Sequence, residues 1–177
     1  MGAADGRVSP GFADFIGEFG KGFESVTDGK EIEDMKAPGI VKSGWQEVQA
    51  GADRYYRPGE FTTFAGFEYT SQPDYGNLHR VVLFRSSRRP ELPFGAMDST
   101  NPEDLWVWLD ASRDEGMDGI AIPHNSNLSD GLMFQLTDFN GNPITSEYAQ
   151  ARMRNEPIVE MTQVKGTSDT HPALSPN

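Results

Sequence analysis

A chain of 177 residues is long enough to bury one real core. Its formal net charge of −12 argues against general binding to DNA, RNA or an anionic membrane, because a polyanion would be repelled. Cysteine is absent, which removes disulfides, thiolate zinc sites and a cysteine nucleophile. No apolar run approaches the roughly 20 residues of a membrane span, and the first residues lack the basic and apolar regions of a signal peptide.

Residues 1–44 form a poorly defined N-terminal segment in which glycine and proline keep interrupting any period. One short amphipathic helix is expected around Phe12, Phe15, Ile16 and Phe19, and the charged run from Asp28 to Lys36 reads as a solvated face or loop. The main domain is expected over 45–177. Its first element is a helix from Trp45 to Tyr56, stopped by Pro58-Gly59.

Phe61 to Thr70 is rich in β-branched and aromatic residues and predicts a strand with Glu68 near its end. A carboxylate there must find a partner or stay wet. The loop 71–77 is dense in turn residues, and His79 to Phe84 reads as the next strand. Such a loop is too short for a parallel crossover, so the two strands should pair antiparallel and make Glu68 and His79 neighbours.

Asn101 is a natural N-cap, Pro102 suits the first helical position, and Leu105, Trp108 and Leu109 make an apolar stripe. Gly116 stops that helix, and Ile120 to Pro123 reads as a buried strand that delivers His124 into a polar loop holding Asn125, Ser126, Asn127, Ser129 and Asp130. A His at the carboxyl end of a strand is a common way to build a site, although a turn rich in Asn and Ser that a His merely caps has the same sequence. A further helix is expected from Thr145 to Asn155, then a strand from Ile158 to Gln163 with Glu160 and Thr162 on one face. Helix followed at once by strand is the rhythm of an α/β layer.

Two histidines, His79 and His124, thus stand at strand ends with Glu68 and Glu160 as carboxylate companions. Imidazole nitrogen and carboxylate oxygen suit zinc, manganese or iron, and such an ion lowers the pKa of bound water to about 7. The bland reading is that Glu68 and His79 form only a cross-strand hydrogen bond. Ser126 or Ser129 acting as a nucleophile with His124 as base is a third reading, but no Gly-x-Ser-x-Gly elbow accompanies it.

The strings Phe61 to Ser71, Asn77-Leu-His-Arg80, Pro102 to Trp106, Ile122-Pro-His-Asn125, Asn127 to Phe134 and Glu156 to Gly166 resemble a bacterial family known only as a domain of unknown function. That family is related to the PHP (polymerase and histidinol phosphatase) metal-dependent hydrolases. The resemblance implies part of a distorted PHP-like barrel, an α/β fold with mixed strand directions, whose strand ends hold two or three divalent transition metal ions. It also implies that Glu68, His79 and His124 are metal ligands, with Glu68 bridging ions. Asn125, Asn127 and Glu160 would then orient substrate or the ligands. Asp169-Thr-His171 looks like the closing Asp-x-His pair, yet falls in a segment that is a loop in the family.

The departures are as informative. No histidine precedes Glu68, so the opening His-x-His and Asp-His segments of a PHP domain are missing from this sequence. The chain therefore reads as an internal piece of a longer parent, from which further ligands would come, and the isolated piece is expected to bind metal weakly and to turn over nothing. The expected activity of the parent is hydrolysis of a phosphate ester or similar small ester. The competing class is a metal-free segment with a structural or binding role.

Overall fold

In a computed structural model, the described residues are 37–164 and 166–169, with the side chains of Asp74 and Asn127 left aside. The expectations for Phe12–Phe19, for the 28–36 run and for His171 lie outside them. The chain divides into two units between Val41 and Lys42, and the second of them carries both sheets. The structure is mixed α/β, with three α-helices among the described residues and two small antiparallel sheets.

Helix α1 (Pro38–Tyr55) leads into strand β1 (Ala65–Tyr69) and strand β2 (Arg80–Phe84). These two pair antiparallel, as the short loop requires, with Glu68 opposite Val81 and Tyr69 opposite Arg80. Strand β1 is shorter than the sequence suggests. Phe61 closes a turn against Arg57 instead, and both Phe61 and Phe64 are exposed, so among the described residues β-propensity there has no sheet to join.

Helix α2 (Pro102–Asp114) starts as its sequence dictates. The Asn101 carboxamide accepts the Glu103 N–H at 2.9 Å, and Pro102 takes the first turn, where no N–H is needed. It ends beside Gly116, whose φ of +82° is the left-handed conformation that favours glycine. Strand β3 (Gly119–Pro123) then pairs antiparallel with β2, Arg80 facing Pro123. Sheet order is β1-β2-β3, and neither this sheet nor the smaller one closes on itself.

The pleat separates two faces. Ala65, Tyr69, Val82, Phe84 and Ala121 point one way and are buried under Trp45 of α1 and Leu105 and Leu109 of α2. Phe67, Trp108 and Phe94 extend this core by edge-to-face and stacked contacts at 5.7–6.1 Å. Glu68, His79 and His124 belong to the opposite face, with Val81, Leu83, Ile120 and Ile122 half-buried beside them. Gly66 of this face has no room for a side chain: a Cβ would stand 2.4 Å from the Val82 carbonyl oxygen.

Helix α3 (Ser146–Asn155), capped by the Thr145 hydroxyl, ends at Glu156, which locks the layers together. Its carboxylate is 1% exposed and meets Arg80 of β2 at 2.9 Å, the Trp106 indole N–H of α2 at 2.8 Å and Arg152 at 3.1 Å. A buried charge is tolerable only when paired and hydrogen-bonded in this way. The chain from Ile158 to Met161 is not a strand; pairing begins only with β4 (Thr162–Gln163) against β5 (Gly166–Thr167).

Candidate functional site

The sheet register places the imidazoles. His79 precedes β2 and His124 follows β3, so each lies one pair beyond the last strand partners, and the His124 N–H donates to the His79 carbonyl at 3.0 Å. Residues opposite each other in an antiparallel pair share a face. The two rings stand 6.2 Å apart, edge to face. Glu68, opposite Val81, is diagonal to His79 on the same face and reaches both rings: its Oε1 is 3.0 Å from His79 Nδ1 and 3.2 Å from His124 Nε2. The Glu68 side chain is 47% exposed, whereas those of His79 and His124 are 15% and 19% exposed, so the carboxylate forms the open side of the cluster.

Behind His124 the chain returns from α3. The Glu160 N–H donates to the Pro123 carbonyl at 3.0 Å, which aims the Glu160 carboxylate at the start of the polar loop. There Oε2 lies 2.8 Å from His124 Nδ1 and accepts the Asn125 N–H at 3.0 Å and the Gln163 amide. Burial pushes Glu160 upward, but the hydrogen bonds from Gln163, His124 and the Asn125 backbone outweigh it and hold the carboxyl below its usual range. The β4–β5 hairpin is tied to the same loop: Asn125 Nδ2 donates to the Gly166 carbonyl at 2.7 Å, and the Ser126 N–H to the Ser168 hydroxyl at 2.7 Å.

Of the residues singled out from sequence, Glu68, His79, His124 and Glu160 are thus brought together. Asn125 is 1% exposed and braces the loop, with its Oδ1 buried and without a hydrogen-bond partner among the described residues. Asp169 is exposed and is engaged by the neighbouring Thr167 hydroxyl. The serine reading does not fit the geometry. Ser129 is buried and donates to the Ser126 carbonyl at 2.8 Å, while the nitrogens of His124 face Glu68 on one side and Glu160 and Gln163 on the other.

Gln163 was invisible to a strand reading. Alternation sends residues 160 and 163 to opposite faces, but the backbone here is not extended throughout, and the two side chains meet.

Among the described residues no three His, Asp or Glu side chains are gathered into a formed ion-holding group. Glu68 Oε1 nonetheless stands 3.0 Å from one imidazole nitrogen and 3.2 Å from the other. Ligands at about 2.0–2.1 Å from one tetrahedral ion lie about 3.3 Å apart, close to the spacings between Glu68 and each imidazole nitrogen. No helix among the described residues is long and apolar enough to cross a membrane.

The family described as Protein of unknown function (DUF3604) matches residues 17–177. No curated protein and no solved structure matches the chain.

Proposed function

The chain belongs to the DUF3604 family, and we propose that it carries part of a metal-dependent hydrolytic centre, built on a PHP-like barrel and acting on a phosphate ester or similar small ester. One observation carries this reading: the His124 ring lies between two carboxylates, with Nδ1 2.8 Å from Glu160 and Nε2 3.2 Å from Glu68. A neutral imidazole has a single N–H and cannot satisfy both. A cation on the Glu68 side removes the conflict and draws on His79 Nδ1 at the same time.

Glu68, His79 and His124 would hold the ion, and Glu160 would fix the His124 ring from behind. A zinc, manganese or iron ion bound there lowers the pKa of a water to about 7 and polarises an ester oxygen. Glu68, being half-exposed, would contact a second ion or take a proton at the open side. Asn125 holds the loop that carries His124, and Asn127 belongs to the loop from which substrate would be oriented. The half-buried aliphatic floor of Val81, Leu83, Ile120 and Ile122 excludes water from one side of the cluster. The reading calls for further ligands beyond these three, since PHP centres use about twice as many.

A second reading is favoured by the same short distances. A His124 ring protonated at both nitrogens bridges Glu68 and Glu160 without any metal, and the cluster is then a structural fastening. Purified chain, stripped with chelator and re-equilibrated with zinc or manganese, separates the two. Stoichiometric uptake by elemental analysis, with metal-dependent release of a chromogenic phenol from a phosphate ester once the ligand set is complete, is the result expected of the hydrolase. Because three ligands alone are expected to bind weakly, it is absence of uptake by the protein with its ligand set complete that favours the fastening.

A further inference from the structure

We propose that Tyr75 is a substrate-contacting residue at the mouth of the site, and that the ester taken there carries an aromatic group which this ring receives; this rests on the hydrolytic reading above and names a substrate class for it. Among the described residues, the non-glycine positions with positive φ are Tyr75 at +66° and Asp130 at +52°. Both stand at the end of the three-stranded sheet that also carries Glu68, His79 and His124. The chain from 70 to 79 joins the end of β1 to the start of β2, and the loop holding Asp130 follows the end of β3.

The left-handed conformation is costly for an L side chain, because Cβ crowds the following carbonyl oxygen, and glycine, asparagine and aspartate are the residues that visit it with ease. Asp130 is therefore ordinary. Tyr75 is not, and strain of this kind gathers at ligand-binding and active sites. Burial does not compensate it, since Tyr75 is 82% exposed. Nor is the loop loose. The N–H groups of Gly76, Asn77 and Leu78 donate to the carbonyls of Pro73, Leu128 and Ser71, each at 2.9 Å. Gly76 is itself required by close packing, because a Cβ there would stand 2.7 Å from a Leu132 methyl and 3.1 Å from the Ser129 carbonyl oxygen. The adjoining left-handed position is thus filled by tyrosine where folding alone favours asparagine or glycine.

Placement supplies the reason. Tyr75 precedes His79 by four residues, and the Asn77–Leu128 bond ties its loop to the one that follows His124. Leu128, 54% exposed, adds apolar surface at that junction. A phosphate ester is an anion, and a chain of net charge −12 opposes its approach at long range. The organic group therefore has to contribute to binding. A tyrosine held on a rigid backbone offers a flat apolar face with only two side-chain torsions to fix, and its preferred partner is another ring.

Two measurements on the full 177-residue chain test this. Phenyl phosphate and methyl phosphate are each titrated, with and without zinc, and followed by saturation-transfer NMR. The wild type should prefer phenyl phosphate by about 2- to 10-fold, the range that one aromatic contact supplies. Tyr75→Asn should abolish that preference, and Tyr75→Phe should keep it. In urea unfolding, Tyr75→Asn should raise the midpoint, because asparagine adopts the left-handed conformation more readily. Tyr75→Phe should leave the midpoint in place. A wild type with no phenyl preference in either condition overturns the proposal. So does an equal preference in Tyr75→Asn, or a midpoint that fails to rise in that variant. Zinc that alters the affinity of neither ester counts against the metal centre instead, and the phenyl-to-methyl ratio still decides the role of Tyr75.

Discussion

His124 donates its backbone N–H to the carbonyl of His79 at 3.0 Å. This bond continues the β2–β3 ladder one pair past Arg80 and Pro123. It fixes the relative height of the two imidazoles through main chain alone, and no side-chain contact is needed to bring them to the same face. The carboxylate of Glu68 is the component supplied by the neighbouring hairpin strand.

That division predicts unequal consequences of mutation. Glu68→Gln, His79→Ala and His124→Ala should each weaken zinc or manganese binding by more than the roughly 100-fold upper range seen for outer-shell partners. Ser126→Ala and Ser129→Ala should leave it unchanged. Competition with a coloured chelator measures both sets. Wild-type affinity in Glu68→Gln would remove Glu68 from the ligand set.

Glu156 is predicted to matter to stability and not to ion binding directly. Glu156→Ala leaves Arg80, 3% exposed, without its counter-charge and frees the Trp106 indole N–H. The expected cost is about 3–5 kcal/mol in urea or guanidinium unfolding, the usual penalty for breaking a buried pair from one side. Combining it with Arg80→Met should recover part of that loss, since the stranded charge is then gone. A cost below about 1 kcal/mol for the single variant would show that water reaches the pair.

Acid should act through Asp110. Hydrogen bonding from Arg154 holds its carboxyl below the ordinary range; burial opposes this, and Asn155 and the Arg154 and Arg113 charges reinforce it. A folded-state value below the unfolded value means that the stabilisation is fully present above about 3.9. It is lost as pH falls through the lower folded value. Asp110→Asn should therefore lower stability at about pH 6 and flatten its decline below about pH 4, read from urea midpoints across that range. Parallel acid limbs in variant and wild type would exclude Asp110 as a contributor.

Alkali should act through Tyr69. Burial raises its phenol to about 12, partly offset by Ser71 and Arg80, while its hydroxyl donates to the Ser99 carbonyl at 2.8 Å. Here the folded value lies above the unfolded one of about 10, so the contribution is intact below about pH 10 and disappears as pH rises towards about 12. Ultraviolet titration should show a phenol that ionises last or only on unfolding. Tyr69→Phe should remove that step and cost about 1–3 kcal/mol, because the Ser99 carbonyl loses its donor.

Local chemistry made some of this fold legible from sequence. The Asn101-Pro102 cap, the turn-rich loop that forces a β1–β2 hairpin and the Leu105/Leu109 stripe all act over a few residues, where propensity and period have physical force. Phe61 to Phe64 misled because β-propensity needs a partner strand, and these residues have none among the described residues. The Ile158–Gln163 segment misled differently: its non-paired backbone breaks the alternation on which face assignment rests. Gln163 with His124 and the Arg80–Glu156 pair connect residues 39 and 76 positions apart. Neither the number of charges nor their spacing signals such a contact before the layers are assembled.

Arg80 follows His79 directly, and the pleat turns them to opposite sides of β2. The guanidinium is anchored among the helices, and the imidazole stands in the site. The two side chains share one peptide bond of the central strand, so the seating of the buried guanidinium and the placing of the site imidazole are set by the same stretch of backbone. Substitutions at Trp106 or Arg152, which touch the Glu156 carboxylate that holds Arg80, therefore have a route to the site through the backbone of β2.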